Sequence, residues 1–249
     1  MKTFILMWNP AISSYTWDRF KADQEDMCVH EWGQGVGDWS VWEHDKAEHG
    51  DRFFMVKVGE GKTGIVMAGY FYSEPYEDED WSGRGRQTFY VDLEICEQLD
   101  TDKVDIITTE TLQAELPNFD WTGGHSGRVL DAESAEKLEV MWLKYFNKIR
   151  LNIFKNNAIY AADSEYRFNE ILEGYFRRTK GETCEICGYN YKHVFGDTCE
   201  AYVSHDLYLT TDDETHPLTD ADFLNRVRCV CPSCRDAGGK AFYKKLYGF

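Results

Sequence analysis

Cys184-Glu185-Ile186-Cys187 and Cys231-Pro232-Ser233-Cys234 are the stretches of this 249-residue chain whose residue types and spacing specify chemistry most directly. Each C-x-x-C pair sets two thiolates on one tight turn, and two such turns supply the four sulfurs that tetrahedral zinc prefers. The sequence therefore predicts a structural zinc held by Cys184, Cys187, Cys231 and Cys234. Four thiolates leave no open coordination position, so such an ion shapes the fold and performs no reaction itself. The apolar run Phe4 to Trp8 is too short for a signal-peptide core or a membrane span. A cytoplasmic protein with no membrane partner is expected, its cysteines reduced or metal-bound and not in disulfides. Cys28, Cys96, Cys199 and Cys229 read as small core residues.

Aromatic residues beside turns form a second set: Trp8-Asn9-Pro10, Trp39-Ser40-Val41-Trp42, Glu79-Asp80-Trp81 and Trp121-Thr122-Gly123-Gly124. Such rings can build a pocket on which nucleobases stack, each face contributing about 1–3 kcal/mol. Packing in an ordinary core is the competing role for each of them. The formal charge of −17 argues against a simple nucleic-acid coat and, taken alone, suits an acidic interaction protein that never meets DNA. Arg226, Arg228, Arg235, Lys240, Lys244 and Lys245 nevertheless gather near the C-terminal end, with Asp236 among them, so a local basic patch is compatible with that charge.

The elements that must position these residues change character across the chain. Thr3 to Trp8, Arg52 to Val58, Thr63 to Tyr72 and Phe89 to Ile95 are apolar or alternating runs bounded by glycine and acidic turns, and read as strands. Asp131 to Ile149 reads as an amphipathic helix, with Asp131 as N-cap and Leu138, Met141, Trp142, Tyr145 and Ile149 at three- and four-residue spacing. A second helical pattern, Phe168, Ile171, Leu172, Tyr175 and Phe176, ends at Arg177-Arg178-Thr179-Lys180-Gly181. All the tryptophans precede both C-x-x-C pairs. The expected organisation is α+β: a β-rich domain over residues 1–148, a helical linker over 149–180, and a zinc-binding domain over 181–249.

Between the cysteine pairs, C-x-x-C-G, then Tyr202-Val203-Ser204-His205, then C-P-x-C and a terminal helix resemble the HNH, or ββα-metal, nuclease family. The resemblance implies that His205 activates water and that Asn225, or its neighbour Arg226, stands at the family's middle Asn. It also implies a catalytic Mg²⁺ or Mn²⁺. Ser204 stands where the family has a metal-binding His or Asp, and Arg235 where it often has a His. Neither replaces a carboxylate or an imidazole as a ligand for a hard cation. Asp206, Asp236, Glu200 and His216 are the substitutes within reach in sequence.

The order of features in the first part resembles the EVE domain of the PUA-like superfamily, a β-barrel whose relatives read modified bases. Trp8-Asn9-Pro10, Trp39-Ser40-Val41-Trp42, Gly50-Asp51-Arg52-Phe53-Phe54 and Lys57-Val58-Gly59 carry it first. Gly64 to Gly69, Ser73-Glu74-Pro75-Tyr76, Asp80-Trp81 and Trp121 with His125-Ser126-Gly127 complete it. The resemblance implies an extruded base held between Trp8, Trp39, Trp42 and Trp81 and read by Asn9 and Ser40, with Arg84, Arg86 and Arg128 as phosphate contacts. An EVE-like reader joined to an HNH-like module resembles modification-dependent restriction endonucleases. The expectation is hydrolysis of double-stranded DNA carrying modified cytosines, with a homodimer or two successive visits to cut both strands. The alternative is a zinc-stabilised binder of modified nucleic acid that has lost its catalytic metal.

Overall fold

In a computed structural model of the chain, residues 1–29, 36–156, 159–161, 169–190, 192–193, 196, 204–207, 225 and 227–234 are described. They fall into two compact units, Met1–Arg167 and Phe168–Phe249.

The first unit is a curled sheet of eight strands with helices against it. Strand β1 (Thr3–Trp8) is buried at every position and lies parallel to β3 (Arg52–Lys57) and antiparallel to β7 (Arg128–Leu130). A strand covered on both faces needs an unbroken apolar run, which Phe4-Ile5-Leu6-Met7-Trp8 supplies. From β3 the sheet continues through β4 (Gly64–Phe71) to the long β6 (Gln87–Leu99) and on to β2 (Val36–Ser40). Strand β6 is the spine, pairing also with β5 (Tyr76–Glu79) and β8 (Ile159–Ala161). Its register against β4 shifts between Ala68 and Gly69, where a Cβ on Gly69 would stand 1.9 Å from the Glu94 carbonyl oxygen. Only glycine permits that approach, and the bulge bends the sheet.

The curl brings the two ends of the sheet together. Just after β2, the N–H groups of Trp42 and Glu43 donate to the carbonyls of Ser126 and Gly127, each at 2.9 Å, just before β7. Gly127 has φ +76°, and a Cβ there would lie 2.4 Å from Val41 Cα, so the seam requires glycine.

Helix α1 (Trp17–Val29) follows β1, and the short α2 (Thr109–Glu115) is capped by the Thr108 hydroxyl. Helix α3 (Ala132–Asn156) is capped by Asp131, whose Oδ1 accepts the Ser134 N–H at 3.0 Å. It runs beyond the expected end at Ile149. Leu138, Trp142, Leu143 and Phe146 bury its inner face, Trp142 meeting Phe54 of β3 edge to face. Within this apolar contact Arg52, 1 % exposed, donates through Nε to Glu139 at 2.8 Å and through Nη1 to the Gly69 carbonyl at 3.2 Å. Its guanidinium also lies over the rings of Phe54 and Tyr70. A buried cation is tolerable only when its charge and its donors are met in this way.

The segment expected as a helical linker is divided. Its first part continues α3 and supplies β8 to the first sheet, whereas α4 (Glu170–Lys180) belongs to the second unit. Asn169 caps α4, its Oδ1 accepting the N–H groups of Ile171 and Leu172, and Gly181 ends it at φ 81°. The second unit also contains an antiparallel pair, β9 (Ser204–Leu207) with β10 (Val227–Val230). Arg226, Arg235, Asp236, Glu200, His216 and the expected C-terminal helix lie outside the described residues.

Candidate functional site

The four cysteines converge. The sulfurs of Cys184, Cys187, Cys231 and Cys234 all lie within 4.8 Å of one another, with Cys187 and Cys231 at 3.8 Å. A tetrahedron with Zn–S bonds of about 2.3 Å has edges of about 3.8 Å, so these thiols could hold a structural metal such as zinc. The first turn is closed by Gly188 N–H donating to the Cys184 carbonyl and Cys184 N–H to that of Tyr189, both at 2.9 Å. In the second, Cys234 N–H donates to the Cys231 carbonyl at 3.0 Å.

Glu185, inside the first pair, fastens this turn to β10. Its N–H donates to the Cys229 carbonyl, and its carboxylate accepts Cys229 N–H and Arg228 Nη1, both at 3.0 Å. Because β10 leads directly into Cys231, this clamp sets the distance between the two turns. Nothing in the C-x-x-C spacing points to it. Burial pushes the Cys184 thiol up, but N–H groups of Cys231, Cys187 and Ile186 outweigh it and hold the group below the usual thiol range. Cys229 is the opposite case: burial first, then the Glu185 carboxylate, push its thiol up to about 12. It packs as an apolar core residue with Val230.

In the first unit a cavity of about 450 Å³ opens beside β2 and the chain between β1 and α1. That volume lies in the range of about 300–1,000 Å³ that accepts small molecules. Buried Met55, Met67, Leu93 and Ile95 give it an apolar floor, and Tyr15, Trp39, Trp81 and Tyr90 give it aromatic walls. The Trp39 and Tyr15 rings meet edge to face at 6.3 Å. Trp39 is held from behind, its Nε1–H donating to Ser126 Oγ at 2.8 Å, and the same oxygen accepts Met7 N–H at 3.0 Å. The Tyr90 hydroxyl accepts Trp81 N–H at 2.9 Å and donates to the Glu79 carbonyl at 3.3 Å, fixing the chain that presents Trp81. Burial, then the Asp23 carboxylate, raise the Tyr15 phenol well above its ordinary value, so it stays protonated.

Of the residues expected to bind a base, Trp39, Ser40 and Trp81 line this cavity, and Trp8, Asn9 and Trp42 are placed elsewhere. Trp8 is wholly buried, stacked on Phe20 and Trp17, and its Nε1–H donates to the Tyr15 carbonyl at 2.8 Å. It supports a wall without being one. Asn9 accepts Ala11 N–H at 3.1 Å and shapes the turn after β1. Trp42 is exposed and stacks on His125 at 3.8 Å. Arg128 donates through Nε to the His125 carbonyl and through Nη2 to those of Asp120 and Gly123, lies over the face of Phe119, and does not line this cavity. Arg84 and Arg86 are exposed on the turn between β5 and β6 that carries Trp81.

His205 occupies the register position opposite Cys229, and Ser204 that opposite Val230. Asn225 is exposed. At the positions assigned to a catalytic cation, Ser204 and Asn225 offer neutral oxygens and no carboxylate. By themselves these two lack the carboxylate that a hard divalent ion favours, and Asp206 on β9 is the expected substitute that lies among the described residues.

No protein-family model matches the chain, and neither does any curated protein sequence. Among solved structures, Rpa0253 from Rhodopseudomonas palustris is 22% identical at a TM-score of 0.31, covering 47% of this chain and 73% of that one. PSPTO5229 from Pseudomonas syringae is 13% identical at 0.39, covering 56% and 98%. The YTH domain of the Zygosaccharomyces rouxii MRB1 protein, in complex with N6-methyladenosine RNA, is 11% identical at 0.32, covering 57% and 86%. Among the described residues no helix is long and apolar enough to cross a membrane.

Proposed function

We propose that the protein binds nucleic acid carrying a modified base, taking the base out of its stack into the cavity beside Trp39. The observation that carries this reading is an aromatic-walled cavity of base-accepting size whose walls are held in place by hydrogen bonds, Trp39 to Ser126 and the Trp81 N–H to the Tyr90 hydroxyl. Prepositioned rings lose little entropy on binding, and each stacked face contributes about 1–3 kcal/mol. Equilibrium binding of the full chain to oligonucleotides with and without a modified base tests it. Trp39→Ala should weaken binding to the modified strand at least tenfold with an unchanged far-UV spectrum. Equal affinity of the wild type for plain and modified strands would refute it.

A second reading is that the protein is also an endonuclease for modified DNA. It is favoured by the position of His205 on β9, paired with the strand that runs into Cys231. An imidazole there would take a proton from the attacking water as the phosphodiester bond breaks. The poor match of the cation positions weighs against it. Digestion of plain and modified DNA with Mg²⁺ or Mn²⁺, beside His205→Ala, decides between them: cleavage lost in the variant supports hydrolysis, and intact modified DNA leaves binding alone.

A further inference from the structure

Three of the hydrogen-bond donors on the cavity's aromatic walls are used internally. Trp39 Nε1–H is taken by Ser126, the Tyr90 hydroxyl by Glu79, and the Tyr15 hydroxyl by Asp23. Among the described residues the charged lining is mainly negative. Asp23, Asp26 and Asp38 line it against one guanidinium, Arg19, which lies 4.0 Å from Asp23. Asp38 makes no ion pair among the described residues. Gln98, also lining the cavity and 0% exposed, donates through Nε2 to the Phe20 carbonyl at 2.7 Å. That bond fixes the amide orientation, and Gln98 Oε1 is then a buried acceptor with no partner among the described residues.

A buried acceptor without a donor is costly unless a ligand supplies one. Electron-rich ring faces and surplus carboxylates attract a cation far more than they do a neutral ring, and the attraction grows as water is excluded. Resting on the base-binding reading above, we propose that the cavity selects a positively charged, N-alkylated nucleobase bearing an N–H donor edge. The rings would stack on the delocalised cation, Asp23 and Asp38 would balance its charge, and Gln98 Oε1 would accept its N–H.

The test is calorimetric titration of the full chain at neutral pH with short oligonucleotides. They carry one 3-methylcytosine or 1-methyladenine, both cationic, or one 5-methylcytosine or N6-methyladenine, both neutral. The cationic strands should bind at least tenfold more tightly. Asp38→Asn should lower affinity for the cationic strands at least fivefold more than affinity for the neutral ones, and its far-UV spectrum should match the wild type. Equal or tighter binding of the neutral strands overturns the charge selection and leaves the base-binding reading standing. Binding of a trimethyllysine peptide with no binding of any strand overturns both, as does binding of no probe at all.

Discussion

Ser126 shows how one small side chain can govern a site it does not line. Its oxygen accepts both the Trp39 indole and the Met7 amide. Ser126→Ala leaves two part-buried donors without an acceptor, which costs about 1–3 kcal/mol. Chemical denaturation should show that loss, together with weaker binding of modified strands. Unchanged stability and affinity would show that packing alone holds Trp39. At this scale the convergence of the four cysteines was legible in the sequence because two cysteines three apart carry their geometry locally. The cavity was legible only in part. Trp39, Ser40 and Trp81 are signalled by aromatic–turn pairs, but Tyr15, Asp23 and Gln98 join them only through tertiary folding. Trp8 and Trp42 bear the same local signal and end in the core and on the surface, because a turn does not determine which way a ring faces.

Among the elements, β1, β3 and β4 fall within a residue or so of the positions expected, since long apolar runs leave a strand few alternatives. Strand β5 was not legible: Tyr76-Glu77-Asp78-Glu79 is exposed throughout and is ordered by pairing with β6. The short β7 and β8 have too few residues to show a period. The cap of α3 was legible, and it carries a pH dependence. The Ser134 N–H, first among its causes, lowers the Asp131 carboxyl below its ordinary 3.8. A carboxyl depressed on folding stabilises the protein above its unfolded value and loses that contribution as pH falls through the folded one. Acid titration followed by circular dichroism should therefore find the wild type losing stability below 3.8 more steeply than Asp131→Asn. Parallel curves would remove Asp131 from the account. At neutral pH, Asp131→Ala should cost about 1 kcal/mol.

Over the whole molecule, the two units are stabilised by different means. The first buries a large aromatic and aliphatic core, whereas the described core of the second is small: Leu172, Phe176, Val227 and Val230 with Cys184, Cys229 and Cys231. Small cores rarely persist without a metal or a disulfide. Elemental analysis should find tightly held zinc, and chelation or Cys231→Ser should unfold the second unit while the thermal transition of the first persists. Loss of both transitions together, or full stability of a zinc-free protein, would contradict this division.

The junction between Trp42–Glu43 and Ser126–Gly127 makes filling of the cavity and the joining of the two sheet ends a single latch. Ser126 holds the aromatic wall with its hydroxyl and the far end of the sheet with its carbonyl. An occupant pressing on Trp39 therefore loads the latch and should slow deuterium exchange at the Trp42 and Glu43 amides. In Gly127→Ala, which must spring the latch to fit a methyl against Val41, those amides should exchange quickly whether the cavity is filled or empty.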